Sequence, residues 1–143
     1  SLRDGTKKMS KSELSDLSRI NLTDDKDQII NKIKKAKTDT LPLPSTIEEL
    51  EKRPEAKNLI GIYSSLMNNT LQKSIDEFAG KNFSEFKEKL SDVVVNEINP
   101  ISLKIKELLD DKVFLEKILK DGYEKANEIA SKKIKKIHEI VGF

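Results

Sequence analysis

Between Lys7 and Ser12 the chain places three ammonium groups, on Lys7, Lys8 and Lys11, and two hydroxyls, on Ser10 and Ser12, with Gly5 just ahead of them. Mobile point charges interleaved with hydroxyl donors on a short loop are suited to holding a polyphosphate. Where such a group is transferred, the protein has little covalent work to do, and catalysis is mostly positioning and electrostatic stabilisation of spreading negative charge. Lys8 and Lys11 are the candidate catalytic charges, and Ser10, Ser12 and the neighbouring backbone N–H groups the candidate donors. Gly5 is expected to let the segment change conformation freely, closing over a nucleotide and reopening. Met9 reads as a packing anchor. Lysine runs in general are solvated surface, but composition does not account for the order Lys8-Met9-Ser10-Lys11-Ser12.

The segments that must position this loop read as helices. Thr23 with Asp24, Asp25 and Asp27 marks a helix start whose apolar face is Ile29, Ile30, Ile33 and Ala36, with Lys32, Lys34, Lys35 and Lys37 near its C-terminal end. Leu41-Pro42-Leu43-Pro44 reads as an extended connector. Ser45 or Thr46, with Glu48 and Glu49 near the capping-box position, starts a short helix. Pro54 is placed as the first residue of the next, which runs to about Asn68. Thr70 opens another that Gly80 stops. A long helix is expected from Ser84 to Leu108, kinked at Pro100. A short one follows from Asp110 or Asp111 to a stop at Gly122, and a last one from Tyr123 to Val141. Val93-Val94-Val95 falls inside a 3.6-residue pattern, so no strand is credible beyond an apolar stub at Ser1-Leu2. The expected fold is all-α, a bundle of five to six helices behind a flexible loop.

On the last helix, Tyr123, Ala126, Ala130, Ile134, Ile137 and Val141 form an inward stripe, and Lys125, Lys132 and Lys136 align on nearly the opposite side. Those lysines are either a track for RNA phosphates or ordinary solubilising residues, partly neutralised by Glu128 four residues before Lys132. His138, without a second histidine or a carboxylate pair beside it, reads as structural. There is no Walker loop, no G-x-G-x-x-G and no metal-ligand spacing, so no metal-binding residue is assigned.

At 143 residues, with 36% charged and 36% hydrophobic residues and a mean hydropathy of −0.57, the chain suits one core. Zero cysteine excludes disulfides and thiolate metal sites and fits a cytoplasmic location. No apolar run approaches the roughly 18 residues of a membrane span. The net charge of +2 hides an uneven field, since residues 1–40 carry 10 Lys/Arg against 7 Asp/Glu, residues 41–121 carry 12 against 15, and residues 122–143 carry 5 against 3. Any RNA contact should therefore be local.

The loop, together with Ile33-Lys34-Lys35-Ala36-Lys37-Thr38-Asp39, Asn58-Leu59-Ile60-Gly61-Ile62-Tyr63-Ser64 and Asp121-Gly122-Tyr123-Glu124-Lys125-Ala126-Asn127, resembles the C-terminal part of the bacterial-type tryptophanyl-tRNA synthetase family, within the class I aminoacyl-tRNA synthetases. The resemblance covers essentially all of the chain. It implies a ligase that activates tryptophan with ATP and magnesium to tryptophanyl-adenylate, through attack of the amino-acid carboxylate on the α-phosphorus, and then charges the tRNA for tryptophan, as a homodimer. It implies that Lys8, Met9, Ser10, Lys11 and Ser12 contact ATP, that residues 1–22 are loop and linker, and that residues 23–143 are the helical domain that carries the anticodon. The family's other nucleotide motif, of His-x-Gly-His type, has no counterpart, because the sole histidine is followed by Glu139-Ile140. The α/β nucleotide-binding domain is expected to be absent and the fragment inactive alone, with no cofactor of its own and free to be monomeric. A tyrosyl-type fragment and a non-catalytic helical tRNA-binding module remain as alternatives.

Overall fold

Side chains that accept from otherwise orphaned backbone N–H groups set where the helices begin. In the computed structural model of the chain, which describes residues 1–142, α1 covers Lys26–Lys34, α2 Ile47–Glu51, α3 Pro54–Leu66, α4 Leu71–Phe78, α5 Phe83–Asp110 and α6 Lys112–Val141. A single 3-10 turn at Asp16–Ser18 precedes them, and no strand occurs among the described residues. The all-helical expectation holds, and the Ser1-Leu2 stub is not part of a sheet.

Asp25, not Thr23, caps α1, in a reciprocal box with Gln28 at 2.9 Å in each direction. The start moves because Asp24 turns inward to accept from the Asn21 N–H at 2.8 Å and from Lys32. Thr46 caps α2, and Glu49 returns a carboxylate to the Ser45 N–H. Pro54 opens α3, where a missing donor costs nothing. Thr70 caps α4. The Asn82 side chain accepts from the Glu85 N–H at 2.9 Å, so α5 starts just ahead of Ser84. Asp111 caps α6 by accepting from the Phe114 N–H.

Helix ends are equally local. Asn68 takes a left-handed φ of 52° after α3, with the Asn69 N–H bonded back to the Ser64 carbonyl at 2.9 Å. Gly80, at φ 73°, follows α4 as expected. Gly122 does not stop a helix. It lies inside α6, where the surrounding good helix formers carry a residue whose intrinsic penalty is only about 1 kcal/mol. Pro100 sits in the interior of α5, where it withholds one backbone donor.

The chain divides into Ser1–Leu103 and Lys104–Phe143. The first unit holds the core: Ile29 and Ile33 of α1, Leu50 of α2, Ala56, Leu59, Ile60 and Tyr63 of α3, Ile75 and Phe78 of α4, and Phe86, Leu90 and Val94 of α5. Tyr63, Phe78 and Phe86 meet edge to face, with ring centroids 4.8 to 5.9 Å apart, and each such pair adds about 1 kcal/mol beyond area burial. Lys87 reaches the C-terminal end of α1 and donates to the Ala36 carbonyl at 2.7 Å and the Lys34 carbonyl at 3.1 Å. The second unit holds α6 and the last turns of α5. No residue of α6 is buried, so Tyr123, Ala126, Ala130, Ile134, Ile137 and Val141 are exposed rather than inward. Among its described residues that unit has no second layer to enclose an apolar stripe.

Candidate nucleotide loop and its anchors

The root of the lysine loop is tied to the helical unit by its backbone. Leu2 donates its N–H to the Ser18 carbonyl at 2.9 Å and accepts from the Lys37 N–H at 2.8 Å, and its side chain enters the core. Arg3 donates to the Lys35 carbonyl at 2.6 Å, and Asn58 of α3 donates to the Ser1 carbonyl at 3.2 Å. Gly5 approaches the start of α3 so closely that a Cβ there would sit 2.6 Å from the Pro54 carbonyl carbon and 2.7 Å from the Glu55 nitrogen. Its φ is not left-handed. Gly5 is thus required by close approach, where the sequence pointed to conformational freedom.

Beyond Gly5 the chain turns on itself. Asp4 accepts from the Thr6 hydroxyl at 2.6 Å and from the Thr6 N–H at 3.0 Å. These bonds, the hydroxyl's foremost, hold the Asp4 carboxyl below its usual range. The Lys7 ammonium lies 3.5 Å from the same carboxylate, so it is an internal partner rather than a free cation.

From Lys8 to Ser12 every residue is exposed. The Ser10 and Ser12 hydroxyls are brought together at 2.9 Å, and the Ser12 N–H donates to Ser10 Oγ at 3.3 Å. Lys8 and Ser10 line an open polar cavity of about 430 Å³ with Arg3, Asp4, Lys7 and Glu13. Lys11 and Ser12 stand outside it. Met9 faces the other way, 47% exposed, onto a largely apolar cavity of about 330 Å³ walled by Leu2, Ile20, Ile62, Leu66, Val94 and Ile98. Two ammoniums and two hydroxyls thus face solvent on a firmly rooted turn, which is an arrangement able to accept several phosphate oxygens.

Beneath the loop lies a cluster that sequence reading missed. The Lys32 ammonium lies 2.6 Å from both Asp16 Oδ2 and Asp24 Oδ2, and the Lys32 and Asp24 side chains are only 5% and 6% exposed. The Lys32 hydrogen bond, followed by that from Asn21, keeps the Asp16 carboxyl below its ordinary value. Arg19 joins Asp16 at 3.2 Å and donates to the Glu13 carbonyl at 3.1 Å. A signal was present, since Lys32 shares the face of Ile29, Ile33 and Ala36 at helical spacing, and a lysine on an apolar stripe demands a buried partner.

The lysines of α6 are described within their own unit. Lys132 is paired with Glu128 at 2.7 Å, while Lys125 and Lys136 have no carboxylate within ion-pair distance among the described residues. His138 sits on the same helix and accepts, through its carbonyl, from the Gly142 N–H. No group of three acidic, histidine or cysteine side chains among the described residues is placed to hold a metal, and no described helix is long and apolar enough to cross a membrane.

A lysine and serine loop rooted on a helical unit in this way points to one class of protein, and the match is direct. The family described as tRNA synthetases class I (W and Y) matches residues 1–99, and the chain belongs to that family. Within it, the chain is 51% identical over 143 residues to the tryptophan–tRNA ligase of Agrobacterium fabrum, 48% to that of Caulobacter vibrioides and 50% to that of Rickettsia felis. All of this chain aligns, but it spans only 40% to 43% of the length of those relatives. Its fold is shared with a solved tryptophanyl-tRNA synthetase from Mycoplasma pneumoniae, at a TM-score of 0.71 and 24% identity, over 99% of this chain and 42% of that one.

Proposed function

We propose that this chain is the loop-bearing and helical part of a tryptophan–tRNA ligase, which activates tryptophan with ATP and transfers it to the tRNA for tryptophan. The observation that carries the reading is the exposed Lys8-to-Ser12 turn on a rigid root, in a chain about half identical to relatives of that name. In this reading Lys8 and Lys11 meet the charge that grows on pyrophosphate as it leaves, and Ser10 and Ser12 donate to its oxygens. Met9 holds the turn against the apolar cavity behind it. Residues 1–22 form the loop and its linker, and the helices from residue 23 onward carry the anticodon, with Lys125, Lys132 and Lys136 meeting RNA phosphates. Among the described residues no group of three acidic, histidine or cysteine side chains is placed to hold magnesium, and no step is assigned to that ion. The full-length protein acts in the cytoplasm as a homodimer, in keeping with the family resemblance and the cysteine-free sequence.

The test is Lys11→Ala in the full-length protein. One preorganised charge contact made mainly in the transition state supports on the order of 10²-fold or more in rate. Tryptophan-dependent pyrophosphate exchange falls by that factor while tryptophan affinity is unchanged. Equal exchange in variant and parent refutes the assigned role.

A further inference from the structure

The second half of the loop has its own hydrogen bonds, between Ser10 and Ser12 and from the Glu13 N–H to the Ser10 carbonyl at 3.4 Å, and it is also held from outside. Arg19 donates through Nη1 to the Glu13 carbonyl at 3.1 Å and to the Ser10 carbonyl at 3.4 Å, so one guanidinium spans the turn that carries Lys11 and Ser12. The fork is itself held. Its Nη2 lies 3.2 Å from Asp16 Oδ1, and its Nε donates to Asn21 Oδ1 at 3.3 Å. Asn21 also donates to Asp16 at 2.9 Å. The second Asp16 oxygen binds the buried Lys32 ammonium, whose other partner is the buried Asp24. A continuous line of charged hydrogen bonds therefore runs from the inner face of α1 to the backbone of the lysine loop. Every link has an ionised donor or acceptor, and such charge-assisted links are the stronger kind.

We propose that Arg19 is a positioning residue for nucleotide binding: it fixes the Ser10 and Glu13 carbonyls so that Lys11 and the paired serine hydroxyls are presented in one arrangement, with Asp16 and Lys32 fixing Arg19 in turn. The proposal rests on the phosphate-holding reading of the loop. Its physical content is entropic. Without the fork, more of the ordering of the residues from Ser10 to Glu13 falls to the ligand, and the conformational freedom of a few residues is enough to weaken affinity by about 10- to 100-fold. A planar fork suits the task, because it reaches two carbonyls and a carboxylate at once, which a single ammonium cannot do. Were Arg19 only a surface ion pair, its removal would change little beyond a small loss of stability.

The chain has two methionines, Met9 in the loop and Met67 at the end of α3, and their methyl groups report loop order and its control. In full-length protein labelled at methionine methyls, Arg19→Ala lowers the Met9 methyl order parameter and leaves that of Met67 unchanged. In ATP–pyrophosphate exchange the same variant raises the KM for ATP about 10- to 100-fold and leaves the KM for tryptophan within twofold. Arg19→Lys recovers part of both losses. The proposal is overturned if Met9 order is the same in Arg19→Ala and parent, or if the two KM values rise together with a lowered melting temperature. Lys11→Ala separates this proposal from the reading beneath it: that variant keeps Met9 order, and its full activity would sink the phosphate role while leaving the ordering role of Arg19 to be decided by the methyl measurement.

Discussion

A single methyl group at Gly5 tests how the lysine loop is rooted. In Gly5→Ala the new carbon falls 2.6 Å from the Pro54 carbonyl carbon and 2.7 Å from the Glu55 nitrogen, both backbone atoms of the first turn of α3. Ordinary contact needs about 3.4 Å or more, so the loop root or the helix start must move by most of an ångström. Overpacking of this kind costs about 1–3 kcal/mol. For a domain of this size 1 kcal/mol corresponds to about 4 °C, which places the melting temperature roughly 4–12 °C below the parent. Gly61 is the control, because it lies in α3 with open space where a Cβ would go. Gly61→Ala removes a helix-interior glycine and is expected to stabilise by up to about 1 kcal/mol. Thermal melts followed by far-UV circular dichroism compare the two variants directly. A Gly5→Ala protein that melts at or above the parent, or alongside Gly61→Ala, would show that the close approach does not constrain the loop.

Lys32→Met leaves the buried Asp24 carboxylate without its cation, at an expected cost of about 3–5 kcal/mol in urea unfolding, and adding Asp24→Asn recovers most of it. A single variant within 1 kcal/mol of the parent would remove the ion pair from the account of the loop's support. Burial, and then the hydrogen bond to Glu77, pushes the Tyr63 hydroxyl from 10.0 up to about 12. The folded state thus keeps a proton that the unfolded chain gives up first, so stability is full below about pH 10 and is lost as pH rises towards 12. Tyr63→Phe should flatten that decline in alkaline denaturation curves, and an unchanged decline would count against it. Replacing Lys125, Lys132 and Lys136 together with glutamine should flatten the plot of log tRNA affinity against log salt by roughly two to three units, equally for tryptophan tRNA and an unrelated tRNA. Fluorescence anisotropy at several salt concentrations measures this, and an unchanged slope marks the stripe as solvated surface.

Cap chemistry was legible because each cap is decided within four residues. Thr46, Pro54, Thr70 and Asp111 stand where the sequence placed them, and Asn68 and Gly80 end their helices through their own backbone conformation. The misplaced boundaries show what competes with local preference. Thr23 lost the α1 cap because Asp24 was drawn inward by Lys32, eight residues away. Gly122 failed as a stop because its penalty of about 1 kcal/mol is smaller than the gain from continuing the helix on both sides.

For the loop, residue types and order by themselves set which ammonium and hydroxyl groups it offers, since charge and hydroxyl content along five residues do not depend on what lies beneath them. Tertiary structure decided the rest. Whether Lys7 is a free cation, what Gly5 is for, and which face Met9 turns to are settled by Asp4, by the first turn of α3 and by an apolar wall assembled from α3 and α5. The line from Lys32 through Asp16 to Arg19 and the Ser10 carbonyl joins α1, a 3-10 turn and a loop. Periodicity shows that Lys32 needs a buried partner but not which one, and only the folded chain brings those side chains within reach of one another.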